Sequence, residues 1–209
     1  MKILSVSDSI ETRLYDGLDI DEFPGIELIL SCGDLPPEYL TYLAKGFNVP
    51  LYYVSGNHDI RYLEKPPDGC ENLDGRVVRF RGLNFLGLEG SRWYNGGPFQ
   101  YTEEQMRQKV RNLRRDFKRL GGVDVIITHA PPRFVHDEED PCHKGFRVFR
   151  WLIDKYSPAY FVHGHIHSFF NDPSERMTLI GNTQVVNSYG YTILEINDKR
   201  MAGKDRPGS

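Results

Sequence analysis

The stretch Leu51-Tyr52-Tyr53-Val54-Ser55-Gly56-Asn57-His58-Asp59 decides the architecture. Leu51–Ser55 is short, rich in aromatic and β-branched residues and closed by a glycine, which reads as a buried strand rather than a helix. An amide, an imidazole and a carboxylate follow it. The same design recurs outward along the chain. Lys2–Ser7 releases Asp8, Ile26–Ser31 releases Gly33-Asp34, Asp124–Thr128 releases His129, and Ala159–His163 releases Gly164-His165-Ile166-His167. Open sheets place their ligand crevice at the carboxyl ends of strands, so five separated strands would deliver polar groups to one place.

Five further runs, Arg76–Phe80, Leu83–Leu88, Met177–Gly181, Gln184–Ser188 and Tyr191–Ile196, also read as strands. One helix is expected from Thr102 to Leu120. Thr102 and Gln105 form a capping box, Met106, Val110, Leu113, Phe117 and Leu120 repeat at helical spacing, and Gly121-Gly122 stops the run. Two more helices are expected at Pro37–Lys45 and Phe146–Tyr156, the latter braked by Ser157-Pro158. This mixture predicts an α/β (α+β) fold with two packed mixed sheets forming a sandwich flanked by helices. Residues 1–201 are expected to form a single domain, and the polar residues 202–209 a flexible tail.

With 26 Lys and Arg against 29 Asp and Glu the net charge is −3, which argues against a strongly basic coat for duplex nucleic acid. The opening apolar stretch is too short for a signal peptide and no span reaches the ~20 apolar residues of a membrane helix. Cys32, Cys70 and Cys142 form no even set and no C-x-x-C pair, so they read as free thiols of a reducing, cytoplasmic setting.

The donors at the strand ends narrow the chemistry. Asp, Asn and His without thiolate offer hard oxygen and borderline nitrogen, suiting Mn²⁺, Fe, Zn²⁺ or Ni²⁺ better than Ca²⁺. There are more donors than one ion needs. Two ions about 3.5–4 Å apart and sharing a carboxylate could clamp the attacking and leaving oxygens of a phosphoryl transfer.

The series Asp8-Ser9-Ile10, Gly33-Asp34, Gly56-Asn57-His58-Asp59, His129 and Gly164-His165-Ile166-His167 resembles the motif order of the calcineurin-like metallophosphoesterases. Its Thr128–Pro132 and Val162–His167 stretches are most similar to the class III cyclic-nucleotide phosphodiesterase and metallophosphoesterase-domain branch. The resemblance implies a first metal on Asp8, Asp34 and His167, and a second on Asp34, Asn57, His129 and His165. It implies one or two divalent ions, Mn²⁺ foremost, and attack on phosphorus by a hydroxide held between them. His58 would contact a phosphate oxygen and serve the leaving group, with Asp59 orienting its imidazole. The implied activity is hydrolysis of a small phosphate ester, a phosphodiester by preference. The alternative is a non-catalytic metal-binding interaction module, the fate of some retromer-subunit relatives.

The family's D-x-H histidine is Ile10 here, which coordinates nothing. Three candidate ligands against four predict that the second site binds metal more tightly than the first. Elsewhere, His163 reads as a supporting residue. His136 and His143, beside the acidic run Asp137–Asp140, read as a loop at the site's rim, with a third metal site as the other reading. Arg61 is open to either substrate contact or surface exposure, as are Trp93, Tyr94 and Phe99 to stacking or packing. The Arg107–Arg119 helix face leaves nucleic acid as a disfavoured partner.

Overall fold

The computed structural model describes residues 1–196; the tail expected at 202–209 lies outside the described residues. The chain opens with β1 (Lys2–Ser7), α1 (Thr12–Tyr15), β2 (Ile26–Ser31), α2 (Pro37–Phe47), β3 (Leu51–Tyr53) and β4 (Glu71–Asn72). Then follow β5 (Arg76–Phe80), β6 (Leu83–Leu88), β7 (Ser91–Arg92), β8 (Gln100–Tyr101), α3 (Glu103–Asn112), α4 (Arg114–Leu120) and β9 (Val125–Thr128). The last elements are α5 (Arg147–Tyr156), β10 (Tyr160–His163), β11 (Met177–Ile180), β12 (Thr183–Asn187) and β13 (Gly190–Glu195).

One sheet runs β13-β1-β2-β3-β4 and the other β11-β12-β10-β9-β6-β5, with β7 and β8 as a small pair apart. Both large sheets are mixed. β1, β2, β3 and β4 run parallel with β13 antiparallel at one edge, while β12, β10, β9 and β6 run parallel with β11 and β5 antiparallel at the two edges.

Side-chain alternation sorts each strand between layers. Leu28 and Leu30 of β2 enter a central core with Val125 and Ile127 of β9 and Val162 of β10. The intervening Ile29 faces α1 and α2 with Leu40 and Leu43, whereas Ile126 and Phe161 face α3–α5 with Met106, Phe149 and Leu152. The order is helices, sheet, sheet, helices. A sheet buried on both faces needs apolar residues at nearly every position, which is why these strands read as continuous runs.

All ten expected strands form, with ends moved by at most two residues. The two-residue strands β4, β7 and β8 are too short to show periodicity. The expected Thr102–Leu120 helix is divided. Its capping box forms, but at Leu113 the four-residue hydrogen-bond ladder breaks and the amide bonds Val110 three residues back. Leu113 and Phe117 stay buried across the break, so the apolar stripe survives while the axis is interrupted. Gly121 and Ser157, both left-handed, close α4 and α5 as the stop signals predict. Among the described residues no helix is long and apolar enough to cross a membrane.

Phe149, fully buried between α5 and the sheet, is expected to cost ~3–5 kcal/mol when replaced by alanine. Arg150→Ala, one residue on and half-exposed with only a surface ion pair to Asp154, should stay within about 0.5 kcal/mol. Urea unfolding monitored by circular dichroism reads both.

Candidate metal centre

Because β1, β2, β3, β9 and β10 run the same way within their sheets, Asp8, Asp34, Asn57, His129 and His165 emerge at strand ends that converge. Asp34 is the hub. Its Oδ1 accepts the His58 amide at 2.8 Å and its Oδ2 lies 3.3 Å from His129 Nε2. The same Nε2 is 3.0 Å from Asn57 Oδ1. The ligand atoms of Asp34, His129 and His165 all lie within 4.8 Å of one another. Asp8 Oδ2 accepts the His165 amide at 2.9 Å, and Oδ1 lies 3.4 Å from His167 Nε2.

The imidazoles are oriented from behind by backbone carbonyls. His129 Nδ1 donates to Cys32 O at 2.8 Å, so neutral His129 carries its lone pair on Nε2, facing the oxygens of Asp34 and Asn57. His165 Nε2 donates to Cys142 O at 2.9 Å, which leaves Nδ1 bare. Hydrogen bonding of one ring nitrogen to fix the other as a donor atom is the usual support of a metal-binding histidine. Asp8 Oδ1 is buried without a hydrogen-bond partner, and such an atom costs desolvation unless a cation or donor meets it. Inward-facing lone pairs and an orphaned carboxylate oxygen fit a divalent transition metal.

Asp8, Asp34 and His165 adopt left-handed backbone angles, with φ of 64°, 56° and 67°. Such conformations cost of order 1–3 kcal/mol each in non-glycine residues and persist only where surroundings over-determine them. Here the amide of Asp8 bonds Gly33 O, that of Asp34 bonds Asp59, and that of His165 bonds Asp8. Two glycines make room. A β-carbon on Gly56 would collide with the Asp34 carboxylate and the His129 ring, and one on Gly164 with Ser7 Oγ and Asp8 Oδ2.

The electrostatics follow from this crowding. Burial raises the Asp34 carboxyl, but the charge and hydrogen bond of His129 and the His58 amide outweigh it and hold Asp34 far below the usual range. Burial likewise opposes protonation of His129, yet Asp34 and Asp8 push it up to about 9. His165 falls to about 4 through burial and the neighbouring His129 charge. His167 is raised by the Asp8 carboxylate beside it. Without metal, a proton on His129 offsets the charge of Asp34.

The expected site residues thus gather, with one change of role. Asp59 does not serve as the orienter of His58. It accepts the amides of Asp34 and Gly56 at 2.8 and 2.7 Å, tying the β2 and β3 loops together. Burial and the Asp34 charge raise it to about 7. Arg61 pairs with Glu38 at 2.6 Å and lines the same cavity as Asp34 and His58. Ile10 is 43% exposed. His163 is committed elsewhere, donating through Nδ1 to Gly164 O and accepting through Nε2 from His136, which accepts from Thr178. The acidic loop is pinned by Arg133, which pairs with Asp137 and Glu139. Tyr94 contributes its hydroxyl to Asn57 Nδ2 at 3.3 Å, whereas Trp93 is largely exposed. The supporting carbonyls of Cys32 and Cys142 escape a sequence reading because a carbonyl carries no residue signature.

The chain belongs to the calcineurin-like phosphoesterase family, whose model matches residues 4–169. It is 27% identical over 210 residues to an uncharacterized protein of Methanocaldococcus jannaschii, covering 90% of this chain and 87% of that one. The fold is similar to TT1561 of Thermus thermophilus, with a TM-score of 0.65, 16% identity and coverage of 90% and 89% of the two chains. It is also similar to a structure described as a novel archaeal phosphodiesterase, with a TM-score of 0.50, 14% identity and 93% of each chain covered.

Metal uptake must displace the His129 proton, so affinity should rise with pH until about pH 9. Calorimetry at pH 7.5 in buffers of different ionisation heat should show release of about one proton per tightly bound Mn²⁺. Gly164→Ala should weaken Mn²⁺ binding at least ~tenfold by misplacing Asp8, while far-ultraviolet dichroism stays native.

Proposed function

We propose that this chain hydrolyses phosphodiesters with one or two divalent transition metal ions, Mn²⁺ foremost. The observation that carries the reading is the inward convergence of Asp8, Asp34, Asn57, His129, His165 and His167, with ring tautomers set by carbonyls behind them. Asp8, Asp34 and His167 would hold one ion, and Asp34, Asn57, His129 and His165 the other, with Asp34 shared. Bound there, the metal would supply Lewis acidity toward phosphate oxygens and acidify water.

The chain's own groups do the rest. His58 is an exposed side chain whose backbone is fixed by Asp34. Its imidazole is free to meet a phosphate oxygen and to give a proton to the leaving alkoxide. Asp59 acts on the reaction by holding the Asp34 and Gly56 amides in place. Arg61, the cation closest to His58 along the chain, pairs with Glu38 and lines the cavity shared by Asp34 and His58. The preference for a diester rests on the resemblance of Thr128–Pro132 and Val162–His167 to the class III cyclic-nucleotide phosphodiesterase branch. Ile10 favours the rival reading of a non-catalytic metal-binding module, since it removes one nitrogen donor. The cytoplasm would be the setting for such a reaction, consistent with three unpaired thiols.

Turnover of bis(p-nitrophenyl) phosphate with Mn²⁺ tests the proposal beside p-nitrophenyl phosphate. The diester should react with the higher kcat/KM, and His58→Ala should lower kcat by ~10²–10⁴ while Mn²⁺ still binds. Absence of turnover with Mn²⁺, Fe²⁺, Zn²⁺ and Ni²⁺, despite metal binding, would establish the module instead, and a faster monoester would establish a phosphomonoesterase. Titration calorimetry should resolve a tight event lost in His129→Ala and a weaker one lost in Asp8→Asn. Equal tight affinity at both sites would contradict the ligand count.

A further inference from the structure

On the helical face of the six-stranded sheet, α3, α4 and α5 enclose a groove of about 270 Å³. Its floor is apolar, made by Val110 and Phe117 with Trp151, and Arg107, Arg114 and Arg147 line its walls. Trp151 is 42% exposed, with Lys155 Nζ 4.6 Å from its ring centroid. All three arginines are exposed, and among the described residues none of their guanidiniums has a carboxylate partner.

The surroundings differ. In a neighbouring cavity that shares Arg147, Arg92 pairs with Glu103 at 2.7 Å, Arg133 with Asp137 and Glu139, and Lys144 with Glu139 at 3.5 Å. Arg111, a fourth arginine of the groove, is paired with Glu104, and Lys109 and Arg119 on α3 and α4 are paired as well. Uncompensated positive charge therefore surrounds the apolar floor and does not continue toward the metal centre.

We propose that this groove docks a short acidic amphipathic segment of a partner protein, with a leucine- or phenylalanine-type anchor on the floor and carboxylates against Arg107, Arg114 and Arg147. The complementarity has two parts. The arginines call for planar anions that can bond their forked donors, and the floor calls for an apolar side chain. An amphipathic helix carrying acidic and apolar residues on adjacent faces satisfies both. Exposed Trp and Arg at the centre of such a patch are the residue types that dominate binding energy at interfaces. A nucleic acid is the poorer fit. Its strand needs a track of free cations along successive phosphates, and the cations between this groove and the metal centre, Arg92, Arg133 and Lys144, are paired with carboxylates.

The test is selection of a displayed library of short peptides on the intact wild-type chain. Enriched peptides are then synthesised with a fluorophore and measured by anisotropy. Enrichment of sequences joining Asp or Glu to Leu, Ile or Phe is expected. Their affinity should fall at least ~tenfold in Arg107→Glu/Arg114→Glu, with the thermal midpoint unchanged, and by a similar factor in Trp151→Ser. It should also weaken as salt is raised. No enrichment, enrichment of basic or neutral sequences, or affinity unmoved by both variants would overturn the proposal. Tight binding of a labelled oligodeoxythymidylate that the charge reversal abolishes would overturn it in favour of single-stranded nucleic acid.

Discussion

Electron-rich atoms face one another across the centre of this molecule, and something positive must sit between them. Asp34, Asn57 and the Nε2 of His129 point at a common space, while Asp8 presents a buried oxygen that no hydrogen bond satisfies, 3.4 Å from His167 Nε2. A proton on His129 is the least that satisfies the first group. A divalent cation satisfies both, and the carbonyls of Cys32 and Cys142 already hold the rings in the tautomers a cation requires. The site is therefore arranged in advance of its ligand, at a cost carried by the folded chain.

The two sheets divide the work by element. Asp8, Asp34 and Asn57 follow β1, β2 and β3 of one sheet, whereas His129, His165 and His167 follow β9 and β10 of the other. Oxygen comes from one half of the sandwich and nitrogen from the other. A bound cation would bridge the seam, so its binding energy would add to the stability of the packed sheets by mass action. Direct contacts across the same seam, the Asp8–His165 hydrogen bond and the Asp34–His129 pair, already hold the halves in register.

Much of this was legible in the residues. Strands buried on both faces advertise themselves as apolar runs, and the polar groups released after Ser7, Ser31, Ser55, Thr128 and His163 mark the converging ends. Glycines 56 and 164 are readable as places where side chains crowd the backbone. What stayed hidden depended on three-dimensional packing. The break at Leu113 leaves the spacing of buried residues intact, so no pattern exposes it. Asp59 beside His58 suggests a partnership in sequence, yet the backbone turn after Gly56 sends its carboxylate back to the Asp34 amide. The commitment of Arg61 to Glu38 joins residues far apart in the chain, and nothing local announces it.

The left-handed angles at Asp8, Asp34 and His165 carry one more implication. Glycine adopts that geometry freely, so relief of local backbone strain at these positions would come from the very exchanges that strip the centre of its donors. Robustness and chemistry pull against each other there. Laboratory selection for heat resistance alone, with no demand for metal, should drift toward a quieter molecule whose pocket is the first thing erased.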